Sequence, residues 1–283
     1  MRLREYLSLE IISNEGNQSM TSDAVLLEVE DYIAQITLNR PENRNSITPE
    51  LMASFSKVLN KVKERKDLRC LIIAGSGKSF CAGGDFGGNS DSLDMAAEPG
   101  MHHESLLSTY RSFLDIARLD IPVIGALTGH AIGGGFGLAL ICDIRVANKD
   151  ALYGANFARL GLHSGMSISY MLPRLVGIPR AAELLFTGRR IDGSTAESFG
   201  MMNYAVAEDQ VLEKSWKLAR EIAVCAPVAV RMMKRSLLKN GDWDPDSAAF
   251  TEAICQAKTF EMRDSKEGIR ALLEKREPRF IGQ

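Results

Sequence analysis

Short apolar runs and longer stretches with helical spacing alternate along the chain. Two runs at 26–30 and 32–38 are separated by a single polar residue and predict a β-hairpin. Apolar residues then recur at helical spacing through 51–66. Thr48 followed by Pro49 is typical of a helix N-cap with proline at the first helical position. The chain is therefore predicted to begin with strands and to continue into a helix.

The same alternation continues to about residue 210. Further strands are predicted at three short runs, 70–74, 123–127 and 202–206. Further helices are predicted at 102–117, 181–186 and 195–199, and a helix followed by a strand at 138–146. From residue 211 onward the spacing is helical, interrupted by the turn-rich stretch 240–246. This order predicts an α/β core at 24–210 and a C-terminal helical region at 211–283.

Composition narrows the class of protein. The chain has 283 residues, 45 % of them hydrophobic and 25 % charged, which is typical of a soluble globular protein. With 34 basic and 36 acidic residues and no basic stripe, no nucleic-acid partner is expected. The five cysteines include no CxxC pair, and their odd number argues against a disulfide framework and for a reducing compartment, so a cytoplasmic location is expected. No apolar stretch reaches 18 residues, so no membrane span is expected. The histidines and cysteines lack metal-ligand spacing, so no metal site is predicted.

The first residues do not resemble a secretory signal. Residues 1–23 lack a long apolar stretch and are interrupted by acids. They are expected to form a flexible N-terminal extension; alternatively, the protein begins at Met20.

Two glycine-rich loops are the strongest candidates for a functional site. The first, SFCAGGDF, spans 79–86, and the second, GHAIGGGFGLAL, spans 129–140. Each follows a predicted strand and opens toward a predicted helix, where free N–H groups and the helix dipole favour negative charge. One N–H group from each loop could hold a developing oxyanion. The alternative is that both loops are tight turns where a helix packs on a sheet. Neither has the spacing of a phosphate-binding loop.

The order of these motifs resembles the enoyl-CoA hydratase/isomerase (crotonase) superfamily. The matching segments cover roughly 24–283 and are ITLNRPENRNSIT, CLIIAGSGKSFCAGGDF, IPVIGALTGHAIGGGFGLALICDIRVA, LPRLVGIPRAAELLFTGRRI and SKEGIRALLEKREPRF. The resemblance implies an α/β fold, a crotonase-like spiral of ββα units, with a C-terminal helical trimerisation region and a homotrimer or hexamer. It implies an acyl-CoA thioester substrate and no cofactor beyond the coenzyme A moiety of that substrate.

The resemblance also implies site residues. Gly84 and Gly134 would supply the two oxyanion amides. Coenzyme A would contact residues from three parts of the chain: Arg44, Ser46, Ala82, Gly84, Asp85, Phe86, Phe260 and Lys275. Three of these have simpler alternatives, because Phe260 could be a core helix residue, Lys275 a solvated charge, and Asp85 a carboxylate that holds loop N–H groups.

The chain departs from the family where hydratases carry two catalytic glutamates. Gly137 stands at one of these positions and Phe157 at the other. Neither can transfer a proton, so hydratase activity is not expected. Phe157 and Met166 instead suggest a partly apolar substrate pocket.

Three other residues are candidate acids or bases. His163 and Ser164 follow the family's LGL segment, and Tyr110 matches a pocket histidine of a related dehalogenase. The alternatives are a packed or surface histidine, a serine that starts a turn, and a core tyrosine. Three hypotheses follow: an enzyme that stabilises a thioester enolate, a non-catalytic acyl-CoA-binding protein, or an interaction role through the trimer surface. Turnover on a panel of acyl-CoAs separates them.

Overall fold

The computed structural model describes residues 23–84, 103–239 and 244–283. The strands in these ranges are β1 Val25–Glu30, β2 Ile33–Leu38, β3 Cys70–Gly75, β4 Ser79–Cys81, β5 Val123–Leu127, β6 His130–Ile132, β7 Ile144–Asn148, β8 Leu152–Gly154, β9 Ile191–Asp192 and β10 Tyr204–Val206. The α-helices are α1 Pro49–Glu64, α2 His103–Ala117, α3 Gly134–Ile141, α4 Ile168–Thr187, α5 Gly193–Ser198, α6 Val211–Ala223, α7 Pro227–Lys239, α8 Pro245–Phe260 and α9 Arg263–Glu274. Short 3₁₀ helices occupy Pro41–Asn43, Asn156–Leu160 and Glu208–Gln210.

The strands form two sheets. The first has the order β1-β2-β3-β5-β7-β10 and is parallel except for the β1–β2 hairpin. The second has the order β4-β6-β8-β9 and is parallel except at β8–β9. Along the chain, a strand of the first sheet is repeatedly followed by a strand of the second and then by a helix. The expected spiral of ββα units is therefore confirmed, as is a helical C-terminal region. The division of the chain at residue 210 stays a prediction.

Helices cover both faces of the first sheet. Successive strand residues point to opposite faces, so Ile73 belongs to the main core while Ile72 packs on the other side with Ile33 and Ile124. That second face is covered by α6 through residues such as Val211. The two-sided burial explains why the strands are continuous apolar runs rather than alternating ones.

Several local predictions are confirmed. The β1–β2 hairpin turns through Asp31 and Tyr32, which both have positive φ, as a type I′ turn requires. The side chain of Thr48 caps α1 by accepting a hydrogen bond from Leu51 N at 3.2 Å. The predicted start of α2 at residue 102 lies outside the described residues, as does most of the predicted break at 240–246.

Other predictions were incomplete or wrong. The helix predicted at 181–186 begins already at Ile168 as part of α4. It is kinked at Gly177, which has a φ of 76°, and holds two prolines, Pro173 and Pro179, so its periodicity is broken. The strands of the second sheet were not located from the apolar pattern, because they are only two or three residues long. β4 in particular lies inside a stretch predicted to be a glycine-rich loop.

An ion pair between a buried lysine and a half-buried aspartate links α7 to the first sheet. Lys234 of α7 is 6 % exposed and lies 2.7 Å from Asp143, which precedes β7. Lys234 also donates to the carbonyl oxygen of Ile121 at 2.8 Å, and Asp143 accepts from Val123 N at 2.7 Å. Both charges thus have hydrogen-bond partners, as burial requires. In the part of the chain that the structure describes, no helix is long and apolar enough to cross a membrane.

Candidate functional site

The two glycine-rich loops lie against each other. Gly83 follows β4 with a φ of 85°, a conformation that glycine adopts readily. A methyl group on Gly83 would lie 2.6 Å from Ile132 O and 3.0 Å from Gly134 N. Glycine at 83 therefore lets the first loop approach the backbone of the second.

The second loop forms the start of a buried helix. Gly133 is the N-cap of α3 with a φ of 54°, and every residue of Gly134–Ile141 is buried. The first N–H groups of a helix have no intrahelical partner and carry the positive end of the helix dipole. Among the described residues, no backbone carbonyl accepts a hydrogen bond from the N–H of Gly84 or Gly134.

The helix α3 packs closely on the second sheet through Gly135 and Cys81. A methyl group on Gly135 would overlap the carbonyl oxygen of Cys81 and lie 2.7 Å from its Cβ. Burial raises the pKa of the Cys81 thiol to about 12, so this cysteine stays protonated at neutral pH and is not a nucleophile. Its role here is to pack β4 beneath the helix start.

A preceding segment pairs with the first loop. Ala82 N donates to Arg44 O at 3.0 Å and Ile47 N donates to Gly83 O at 2.7 Å, and Ile47 forms a parallel bridge with Gly84. The stretch 44–47 thus holds the first loop as a neighbouring strand would. This role was not predicted, since Ile47 looks like any other apolar residue in the sequence.

Two of the expected pocket residues lie beside the second loop. Phe157 is half-buried in its 3₁₀ helix, and its Cζ would be 3.7 Å from a methyl group on Gly133. A side chain at Gly137 would overlap Met166 Cβ and lie 3.2 Å from Met166 Cγ. Met166 is 2 % exposed, so its side chain already fills the space next to Gly137. Phe157 and Met166 therefore make this side of the helix start largely apolar, and Asn156 adds a polar atom, since its Oδ1 would lie 3.5 Å from a methyl group on Gly133.

The three candidate acid or base residues have different environments. The Tyr110 hydroxyl abuts Gly165, where a methyl group would overlap it and lie 2.9 Å from the ring carbon Cζ. Gly165 precedes Met166, so Tyr110 approaches the same turn that contacts α3. His163 is exposed, and its Nδ1 lies 2.7 Å from the carbonyl oxygen of the half-buried Ser164. Since a carbonyl only accepts, this hydrogen bond requires a proton on Nδ1.

The residues expected to contact coenzyme A are spread over the chain. Arg44 is exposed and Ala82 half-buried, and the two are joined by the hydrogen bond described above. Ser46 is buried, and its hydroxyl donates to Asn43 O at 2.6 Å. Asp85 and Phe86 lie outside the described residues.

The two C-terminal candidates are open to solvent in the single chain. Phe260 is the last residue of α8 and is 60 % exposed, so it is not a core residue of this chain. Lys275 follows α9 in the left-handed conformation, with a φ of 53°, and is exposed.

Comparisons with known proteins agree with this architecture. The family model described as enoyl-CoA hydratase/isomerase matches residues 28–283. A Bos taurus protein named enoyl-CoA hydratase domain-containing protein 2, mitochondrial, is 36 % identical over 256 residues, which cover 89 % of this chain and 85 % of that protein. The short-chain-enoyl-CoA hydratase of Clostridium acetobutylicum is 31 % identical over 258 residues, covering 91 % of this chain and 97 % of that protein.

A solved structure gives the same result. The crystal structure of an enoyl-CoA hydratase from Bacillus anthracis superposes with a TM-score of 0.83 at 30 % identity, covering 92 % of this chain and all of that one. The family match spans both glycine-rich loops, the α3 helix and the C-terminal helices. The chain belongs to the enoyl-CoA hydratase/isomerase family of the crotonase superfamily.

Proposed function

We propose that this protein is an enzyme that acts on an acyl-CoA thioester and stabilises the enolate oxygen with the backbone N–H groups of Gly84 and Gly134. The observation that carries the proposal is the contact between the two loops, in which the Gly83 backbone reaches the amide of Gly134. Two preorganised donors aimed at one oxygen stabilise charge that develops during reaction, and each is worth on the order of 3 kcal/mol.

Tyr110 is the proton-transfer residue that the geometry favours. Its hydroxyl lies against Gly165, one residue from the Met166 side chain that covers Gly137. His163 is a weaker candidate, because its ring is exposed and its Nδ1 is engaged with a neighbouring carbonyl. Tyr110 in this role would donate its hydroxyl proton to the α-carbon of the enolate.

Hydration of a conjugated thioester is not part of the proposal. That reaction needs an acid and a base around one water molecule, and the residues at 137 and 157 are glycine and phenylalanine. Isomerisation, decarboxylation and C–C cleavage can each proceed through such an enolate, and thioester hydrolysis can proceed through a tetrahedral oxyanion held by the same two amides.

A non-catalytic acyl-CoA-binding protein is the second candidate. The filling of the space next to Gly137 by Met166 favours it, because this contact leaves no room for a catalytic side chain there. Turnover on a panel of acyl-CoAs distinguishes the two, since a pure binder holds the thioester without converting it.

The remaining parts of the proposal concern assembly and location. A homotrimer or hexamer would cover the exposed apolar residues of the C-terminal helices, among them Phe260, and would let Phe260 and Lys275 reach the coenzyme A of a neighbouring subunit. All five cysteines are free thiols, as expected in a reducing compartment, which supports a cytoplasmic location. No cofactor beyond the coenzyme A moiety is proposed.

A structure with a saturated acyl-CoA such as butanoyl-CoA tests the oxyanion assignment. We expect the thioester oxygen within hydrogen-bond distance of both Gly84 N and Gly134 N. An oxygen more than about 3.5 Å from both nitrogens overturns the assignment. Gly134→Pro, which removes one donor, should lower turnover about 10²–10³-fold in a variant shown to fold by circular dichroism.

A further inference from the structure

One apolar residue contacts both of the loops that carry the candidate oxyanion amides. Ile47 bonds the first loop through its backbone, since its N–H donates to Gly83 O at 2.7 Å and it bridges Gly84. It reaches the second loop through its side chain. A methyl group on Gly134 would lie 2.7 Å from Ile47 Cδ1 and 3.8 Å from the α-carbon of Gly83. Ile47 Cδ1 therefore packs directly on the α-carbon of Gly134.

The backbone around Ile47 is rigidly held. Asn45 is fully buried with a φ of 54°, and its side-chain amide donates to Ser76 O at 3.0 Å and to Ser79 O at 2.8 Å. Its side-chain oxygen accepts from Arg40 N at 2.8 Å. These bonds tie the segment to the end of β3 and to β4. Because a β-branched side chain has a strongly restricted χ1, a fixed backbone at Ile47 also fixes the direction of its side chain.

The start of α3 is held from a second side as well. Met166 Cγ would lie 3.8 Å from the same methyl group on Gly134. Gly134 is thus enclosed between Ile47 and Met166. Interiors are close-packed, so removing a contacting methyl group lets the neighbouring backbone shift.

We infer that Ile47 is a positioning residue that sets the separation of the Gly84 and Gly134 amides. This inference rests on the proposed function. Two donors that share one oxygen must both lie within hydrogen-bond distance of it, so a shift of a few tenths of an ångström weakens at least one bond. The effect should be greatest in the transition state, where the charge on that oxygen is largest.

Ile47→Val is the decisive variant, because it removes Cδ1 alone and keeps both the β-branch and the backbone hydrogen bond. Ile72→Val is the matched control, since it deletes the same group from a fully buried residue on the opposite face of the first sheet. We expect Ile47→Val to lower kcat about tenfold or more with KM within about twofold of wild type, and Ile72→Val to retain both parameters.

The carbonyl stretch of bound butanoyl-CoA, labelled with ¹³C at the thioester carbonyl, gives a readout that does not need turnover. Hydrogen bonds to the oxygen lower its frequency. We expect a lowered frequency in the wild type and in Ile72→Val, and a smaller shift in Ile47→Val. Wild-type protein that binds the thioester without any shift contradicts the proposed function itself. A full shift in Ile47→Val, with kcat equal to that of Ile72→Val, overturns the positioning role alone.

Discussion

At the scale of single residues, the start of α3 is shaped by side chains that cannot ionise. Met166 has a φ of 56° and Ser167 a φ of 57°, which are uncommon values for residues other than glycine. This left-handed turn leads into α4 and directs the Met166 side chain against Gly137. Residue 137 therefore lacks a carboxylate, and the Met166 side chain occupies the space that a carboxylate side chain would need.

Tyr110→Phe tests the proton-transfer role, because it removes the hydroxyl and keeps the ring. If Tyr110 moves the proton, kcat should fall about 10²–10⁴-fold on any acyl-CoA that the wild type converts. Tyr170→Phe is the control, since Tyr170 is 53 % exposed on α4 and stacks with Arg174 instead. An undiminished kcat in Tyr110→Phe, together with a large loss in His163→Ala, would move the role to His163.

Restoring carboxylates should require a change at Met166 as well. Gly137→Glu with Phe157→Glu is expected to leave crotonyl-CoA hydration slow, because the new side chain at 137 overlaps Met166 Cβ. Adding Met166→Gly opens that space and suits the positive φ at 166. The triple variant should then hydrate about 10²-fold faster than the double variant.

The measurement is the hydration rate at equal folded fraction, with Met166→Gly alone as the control that lacks both carboxylates. Wild-type hydration near the 10 per second typical of enzymes would show instead that other residues supply the acid and base. Equal rates in the double and triple variants would show that Met166 is not the obstacle.

At the scale of elements, the segment before α1 both caps this helix and contacts the candidate site. Thr48 caps α1 while its neighbour Ile47 contacts both glycine-rich loops. Fraying of the first turn of α1 would therefore loosen the support of the first loop. The cap links the stability of this helix to the geometry of the site.

Thr48→Ala should lower the free energy of unfolding by about 1 kcal/mol, because Leu51 N loses its acceptor. Thr48→Ser keeps a hydroxyl oxygen and should recover most of that loss. Denaturant unfolding of the two variants and the wild type makes the comparison. Equal destabilisation by alanine and serine would mean that the methyl group of Thr48, and not its hydroxyl, supports α1.

The sequence predicts an element when residues close together in the chain determine it, and fails to predict one that depends on contacts between distant segments. Thr48 and Pro49 predict the start of α1. The unbroken apolar run of β3 predicts a strand that is buried on both faces. The three-residue strands β4 and β6 carry no period that a pattern could detect. Their pairing depends on the long-range approach of one glycine-rich loop to the other.

The candidate site also has features that the sequence predicts and features that only the fold shows. Gly134 could be placed at a helix start from its neighbours in the sequence, and α3 does begin there. Nothing local marks Ile47 as the residue between the loops, or Met166 as the residue that fills the space at 137. Both contacts join segments far apart in the chain, so only the folded structure shows them.

At the scale of the whole molecule, acidic residues of α9 hold the segment 276–283 against the fold. Buried Asp264 accepts from Ile281 N and Gly282 N, both at 2.8 Å. Arg69, which follows α1 and precedes β3, donates to Phe280 O at 2.6 Å. The Phe280 ring lies 3.3 Å from where a methyl group on Gly268 would be, so glycine there lets the ring pack on α9. The segment thus connects the last helix to the α/β core.

Glu267 should make this attachment sensitive to acid. It bonds both terminal nitrogens of Arg276, at 2.6 and 3.0 Å, and accepts from Arg279 N at 3.0 Å. The Arg276 hydrogen bonds, followed by the Arg279 amide, lower the pKa of Glu267 from 4.5 to about 2. A carboxyl group whose pKa is depressed in the folded state stabilises that state above its unfolded pKa. This contribution is lost as the pH falls through the folded pKa.

Glu267→Gln should therefore lower the melting temperature at neutral pH, and the difference from wild type should shrink as the pH falls from about 4.5 to about 2. Glu252→Gln is the matched control, because it removes the same charge from an exposed position on α8. Thermal unfolding of the three proteins across this pH range gives the measurement. Because glutamine keeps the shape of the side chain but not its charge, a constant difference from pH 7 to pH 2 would mean that packing, and not the Arg276 pair, fixes the segment 276–283.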